Sequence, residues 1–336
     1  MFAESQSDES RYFQVPGRPS TEDFQSVYWR CVAVFFGTSF RQQPDARHIL
    51  YTNINRLPTV DGIKLEDLLN RFHVEIVELP LTYLTPHDYY HAYRNQFYVF
   101  DIARDLSQRV PDEAAAILLD SDCVWIAPAN SMMSAIRRDG ALVYVENYAV
   151  DWPSNGLTRY DMSTIASELM GTEVTEPLVY CGGELVAATG EEFQRIVAEI
   201  DVVWPQLLER HASGKPTFNE EGHTLSYVYH RLGYPLGNAG PYIRRISTGS
   251  FGAFNSALPN DHGLVVWHVP LEKRLGIRRL FPIVADERSR FWSIDDEGTL
   301  RRYLGEYVGV HENSVGKQLR DLGRRVIDKT RHRRNR

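Results

Sequence analysis

Between Ala114 and Pro128 the sequence reads AAAILLDSDCVWIAP, an apolar run stopped abruptly by two carboxylates, Asp120 and Asp122, one residue apart. In a strand, residues i and i+2 point the same way. Two such carboxylates lie side by side and repel. A cation between or beside them keeps both ionised. Divalent-cation binding at a strand end is therefore the first chemistry this chain suggests.

The elements that must position the pair come next. Residues 27–40 (VYWRCVAVFFGTSF) read as a buried strand turning at Gly37. RHILYTN reads as a second strand ending at Asn53, DGIKLEDLLNRF has a helical period, and HVEIVELP alternates like a strand stopped by Pro80. A Thr-Pro start at Thr85 predicts a long helix with an aromatic stripe at Tyr90, Tyr93, Phe97 and Phe100. Beyond the pair, a helix over 131–138, a strand over 141–148 and a helix near 163–170 follow. Such alternation predicts an α/β fold with an open, largely parallel sheet. Ligands of such sheets bind beyond the carboxyl ends of strands, where Asp120 and Asp122 sit.

The second half is less regular. A strand over 178–189 carries Gly182-Gly183, helices are expected near 191–210 and 218–233, and YIRRIST and GLVVWHV read as late strands. The expected organisation is a peripheral segment over 1–25, a catalytic domain over 26–285 with its two halves meeting near 150, and a helical segment over 286–336 ending in a basic tail.

Composition narrows the function classes. The 336 residues are 43% hydrophobic and 24% charged with a net charge of −7, ordinary for a globular chain and unfavourable for wholesale nucleic-acid binding. No apolar run approaches the roughly 20 residues of a membrane helix. MFAESQSDES has no apolar signal core, so a cytoplasmic protein is expected. Cys31, Cys123 and Cys181 lie far apart in apolar surroundings and read as buried, reduced thiols.

In this setting ILLDSD resembles the Asp-x-Asp segment of GT-A glycosyltransferases, somewhat like glycosyltransferase family 8. The resemblance implies a Rossmann-like, mostly parallel central sheet flanked by helices, with a smaller acceptor-side part. It implies a nucleotide-sugar donor, a UDP-sugar before a GDP-sugar, with its diphosphate bound through Mn²⁺ or Mg²⁺. Asp120 and Asp122 would hold the ion, Asp120 also lying near the donor. The acceptor would be a glycan, a lipid-linked molecule or a small molecule. GLVVWHVPLEKRLG resembles the late strand whose His, here His268, completes the metal site, with Lys273 or Arg274 on phosphate. LVYCGGELVAAT resembles the strand where Gly182 and Gly183 let backbone approach the sugar, leaving Glu184 to bind its hydroxyls. The end of the first strand, FFGTSF, would seat the base against Phe36 and Thr38, and Arg94 would reach the diphosphate or ribose.

FNEEGHTLSYVYHRLG suggests where acceptor chemistry takes place. Asn219 is a plausible N-cap, with Glu220 and Glu221 in the first turn, where the helix dipole favours anions. An inverting enzyme needs one carboxylate to take the proton of the attacking hydroxyl. The basic tail, RRVIDKTRHRRNR, suggests peripheral contact with an anionic membrane surface. Two other readings fit Asp-x-Asp. One is a haloacid-dehalogenase-type phosphatase, with SIDDEG (293–298) as its distal acidic motif, and the other is a glycosyltransferase-like fold kept for binding alone.

Overall fold

The computed structural model describes residues 1–6, 9–12, 15–92, 94–249, 255–310 and 315–323. The chain runs α1 (Glu22–Gln42), β1 (His48–Thr52), β2 (Thr59–Val60), β3 (Ile63–Lys64), α2 (Leu65–Arg71), β4 (Val74–Glu78) and α3 (Tyr98–Arg109). It continues with β5 (Ala115–Leu119), β6 (Cys123–Trp125), α4 (Asn130–Asp139), β7 (Ala141–Leu142), α5 (Arg159–Met170), β8 (Leu185–Thr189), α6 (Gly190–Ala212) and α7 (Glu221–Leu232). The last elements are β9 (Ile243–Arg245), β10 (Val266–His268), α8 (Gly276–Ala285), α9 (Arg290–Ser293) and α10 (Glu297–Val308).

The protein is a mixed α/β fold. β1 pairs with β4 in parallel, and β10 pairs with β9 in parallel and with β6 antiparallel. β5, β8 and β7 form an antiparallel sheet in that order, with β8 central. Two large cores flank β1: Leu50 packs with α1, α2 and α8, and its neighbour Tyr51 packs with α3 and α6. Consecutive strand residues face opposite layers, so β1 is covered on both sides.

The first expected strand is a helix. Residues 27–40 lie inside α1, whose Thr21 N-cap accepts from the Phe24 N–H. Nearly every position from Val27 to Ser39 is buried, because α2, α8 and β6 surround the helix. A continuous apolar run does not distinguish a buried helix from a buried strand, and at 21 residues the element is too long for a strand. Gly37 is not a turn: a Cβ there would collide with Val284 of α8, so the glycine lets the two helices approach. The helix expected from Thr85 starts late, with a 3-10 turn at Arg94–Phe97 before α3. Cys31, Cys123 and Cys181 are free and buried. Among the described residues no helix is long and apolar enough to cross a membrane.

Candidate active site

Asp120 and Asp122 occupy the turn between β5 and β6, closed by the Cys123 N–H donating to the Asp120 carbonyl at 3.3 Å. The turn joins two sheets. On one side, Asp120 N–H donates to the Glu184 carbonyl at 3.1 Å, extending the β5–β8 ladder. On the other, β6 pairs with β10 so that Cys123 faces His268, and the Val269 N–H donates to the Asp122 carbonyl at 3.1 Å. Backbone pairing thus brings His268 to the carboxylates. Its Nε2 lies 3.3 Å from Asp122 Oδ2 and 3.9 Å from Asp120 Oδ2. One ligand atom from each of the three residues falls within 4.8 Å of the others. Asp122 and His268 are buried, while the Asp120 side chain is 57% exposed and opens to the cavity.

The donor set fits a hard divalent cation. Two carboxylate oxygens are donors for a hard divalent cation, to which the imidazole adds a softer third ligand. His268 Nδ1 lies 3.1 Å from Glu184 Oε1, which keeps a proton on Nδ1 and presents Nε2 toward the aspartates. Burial opposes a charge on His268, yet Asp122 and Glu184 outweigh it and push the imidazolium up to about 10, so a cation bound at Nε2 must displace its proton. Asp122 behaves in complement: burial works against its charge, but Lys273 and His268 hold its carboxyl well below the usual range. Lys273 Nζ is 2.9 Å from Asp122 Oδ2 and 5.4 Å from the centre of the Tyr28 ring.

A polar cavity of about 340 Å³ leads from this triad to the start of α7. Glu184 faces it but already has partners. Besides orienting His268, it lies 3.9 Å from Arg245, which is also 3.4 Å from Glu146. The expected sugar-hydroxyl contact of Glu184 therefore competes with a role in holding His268. Burial and the Glu184 charge push Glu146 up to about 7.

Glu220 and Glu221 have different surroundings. Glu220, not Asn219, is the N-cap residue of α7. Its carboxylate accepts from the Tyr180 hydroxyl at 2.8 Å and from the Asn155 amide, and lies 3.2 Å from His223 Nε2. Glu221 also lines the cavity, but its buried Oε2 has no hydrogen-bond partner among the described residues. Burial, then Glu220 and Asp120, push the Glu221 carboxyl well above the usual range.

Gly182 and Gly183 form the turn before β8, and both leave room for these carboxylates. A Cβ on Gly182 would strike Glu184, and one on Gly183 would lie 2.5 Å from Glu221 Oε1. Gly183→Ala is expected to destabilise the fold by about 1–3 kcal/mol through overpacking. Gly263→Ala, whose Cβ would meet nothing within 4 Å, should stay within about 0.5 kcal/mol. Urea unfolding of the two variants checks both values.

Of the expected donor contacts, Thr38 and Arg94 line neither the polar cavity nor a second one beside β1. Phe36 and Thr38 belong to α1, so no strand end seats a base there. The Thr38 hydroxyl donates to the Val34 carbonyl at 2.8 Å and accepts from the Trp125 N–H at 3.2 Å. Phe36 borders this second cavity beside β1, whose lining also includes Asp120, Gly183 and Glu184. Arg94 turns away, pairing with His87 Nδ1 at 2.8 Å and the Thr85 carbonyl at 3.2 Å, and lines neither cavity. SIDDEG is also elsewhere: Asp296 caps α10 through the Thr299 N–H at 2.6 Å. The tail from 324 onward lies outside the described residues.

Sequence reading missed Arg245, Glu146, Tyr180 and Asn155. Arg245 had a legible signal, a charged residue in a late strand; in the fold it stands opposite His268 in the parallel β9–β10 register. Glu146 and Tyr180 lie in segments read as strands over 141–148 and 178–189, which the structure shortens to β7 and β8, and Asn155 lies in a turn.

No protein-family model and no curated protein matches the sequence. Solved structures do. One is the apo WbbM bifunctional glycosyltransferase, 11% identical, with a TM-score of 0.45 over 72% of this chain. This chain spans 43% of that protein's length. Another is apo mouse xyloside xylosyltransferase 1, 13% identical, with a TM-score of 0.40 over 72% of this chain and 92% of that one. The structural neighbours of this mixed α/β chain are thus glycosyltransferases. At these identities and TM-scores the likeness assigns nothing to particular residues, whose roles rest on the geometry above.

Proposed function

We propose that the chain is a metal-dependent glycosyltransferase that moves a sugar from a nucleotide-sugar donor, a UDP-sugar first, to a hydroxyl acceptor. One observation carries this reading: Asp120, Asp122 and His268 converge within 4.8 Å at one end of a polar cavity, beside Lys273. Asp120, Asp122 and His268 would hold Mn²⁺ or Mg²⁺. The ion supplies neutralisation of the charge that develops on a departing nucleoside diphosphate. Glu184 fixes the His268 tautomer, and Arg245 balances Glu184 and Glu146. Lys273, now on Asp122, is the cation placed to turn toward a phosphate oxygen.

Glu221 is the acceptor-side residue in this proposal. Its carboxylate lines the cavity, and one of its oxygens has no hydrogen-bond partner among the described residues, which leaves it to take the proton of an attacking hydroxyl. Glu220 is already held by Tyr180 and Asn155 and serves to set the start of α7. The test is release of nucleoside diphosphate from a panel of UDP- and GDP-sugars with Mn²⁺. Turnover with at least one donor, abolished by EDTA and restored by Mn²⁺, is the expected result. Release of inorganic phosphate from phosphomonoesters, with no turnover of any nucleotide sugar, would favour the phosphatase reading instead.

A further inference from the structure

Beside the site, but lining neither cavity, the fold buries a second set of charges. Glu272 ends the 3-10 turn that follows β10, four residues after His268 and one before Lys273. Its carboxylate is fully buried and collects three donors. The Thr248 hydroxyl donates to Oε1 at 2.5 Å, and the Gly276 N–H at the start of α8 donates to Oε2 at 2.8 Å. The third is Lys317, whose Nζ lies 2.9 Å from Oε1. Residues 315–323 are helical, and within them Lys317 is fully buried. Its other partner is Asp321 Oδ2, one turn further on at 2.6 Å, and Asp321 Oδ1 lies 3.3 Å from Arg279 of α8. A Cβ on Gly309 would lie 3.0 Å from Lys317 Cε, so the glycine that ends α10 makes room for this lysine.

Glu272 ties together the two strands that carry the site. On its own side, Glu272 N–H donates to the Val269 carbonyl at 3.0 Å, and Val269 N–H donates to the Asp122 carbonyl. On the other, Thr248 follows Arg245 on the exit from β9, where Ile246 N–H donates to the His268 carbonyl at 2.8 Å. The residue next to Glu272 is Lys273, which lines the polar cavity and reaches Asp122 Oδ2. An ion cluster so deeply buried is a weak source of net stability, because desolvation offsets much of the attraction. What its hydrogen bonds supply is position.

We propose that Lys317 is a positioning residue for the cation of the cavity. It holds Glu272 from a helix 45 residues further along the chain, and Glu272 fixes the turn from which Lys273 reaches Asp122. Without Lys317 the buried Glu272 carboxylate loses its counter-charge. It then takes up a proton or swings toward another cation, and either response loosens the turn that bears Lys273. The helical residues 315–323 thus belong to the construction of the site, although none of them lines the cavity. The hold on Lys273 is geometric; its consequence for a nucleoside diphosphate rests on the function proposed above.

The test reads Lys273 directly in the full chain. The sequence holds five lysines, Lys64, Lys215, Lys273, Lys317 and Lys329, so brief acetylation followed by peptide mass spectrometry follows each one. Lys317→Met is expected to raise the acetylation rate of buried Lys273 at least about tenfold, with exposed Lys64 and Lys215 unchanged. Asp321→Asn, which keeps the lysine but weakens its seat, should move Lys273 less and in the same direction, and it decides alone if Lys317→Met does not fold. Ile200→Ala, in the core under α6, is brought to the same global stability with urea as a control for general loosening. A second arm is a double-mutant cycle on UDP binding with Mn²⁺. Lys317→Met should weaken it about tenfold alone and not at all when Lys273→Met is present, with uridine binding unchanged. A chain that binds no UDP would count against the proposed function, and acetylation would still decide the role of Lys317. An equal rise in the Ile200→Ala control, or unchanged Lys273 reactivity in the folded variants, would overturn the proposal.

Discussion

Asp122→Asn is expected to lower metal-supported glycosyl transfer by about 10²–10⁴-fold, the scale of losing several kcal/mol of charge stabilisation. Asp122 is the buried member of the triad and the point where His268 and Lys273 converge. An amide there keeps the shape but removes the charge that balances both cations. Some stability is lost as well, since each cation keeps its burial without its partner. The variant is therefore assayed at a temperature where circular dichroism shows it folded. Asp120→Asn, at the exposed carboxylate, should cost less stability for a comparable loss of metal affinity. Full activity of folded Asp122→Asn with unchanged Mn²⁺ dependence would remove the metal site from the account.

The second large effect separates the two adjacent glutamates. Glu221→Gln is expected to cut turnover by about 10²–10⁴-fold while leaving nucleoside diphosphate affinity intact, as loss of a proton acceptor does. Glu220→Gln should act mainly on stability. It weakens the acceptor for the Tyr180 hydroxyl and the Asn155 amide at the first turn of α7, a loss of roughly 1–3 kcal/mol. Rate assays paired with urea unfolding distinguish the two. Normal turnover in Glu221→Gln would leave the pair as a buried helix start with no part in proton transfer.

The site was partly legible in the sequence because its metal-ligand candidates end apolar segments. ILLDSD and VVWHV each place a polar group where an apolar strand stops, and β6–β10 pairing brings those stops together. The role of Glu184 was not legible, because it depends on a contact with His268 across 84 residues. α1 was misread for a different reason. A helix buried on nearly all sides loses its amphipathic stripe, so VYWRCVAVFF carries no 3.6-residue signal. That error put the base-binding expectation for Phe36 and Thr38 on a strand end, where both residues belong to α1. Arg94 was misplaced because the aromatic repeat around it continues from a loop into a 3-10 turn before α3 begins. The glycines were read as freedom for a ligand to approach, and the structure shows them also making room for Glu184 and Glu221.

The central claim is that Asp120, Asp122 and His268 bind a divalent cation on which a nucleoside diphosphate then depends. Titration calorimetry of UDP and uridine into the chain and into His268→Ala, each with Mn²⁺ and with EDTA, tests it most directly. The account predicts that Mn²⁺ tightens UDP binding but not uridine binding. It also predicts that His268→Ala loses about 10–100-fold of the Mn²⁺-supported affinity, as expected for a lost metal ligand, with uridine binding unchanged. UDP affinity that is the same in Mn²⁺ and EDTA, or an equal loss for UDP and uridine in His268→Ala, would contradict it.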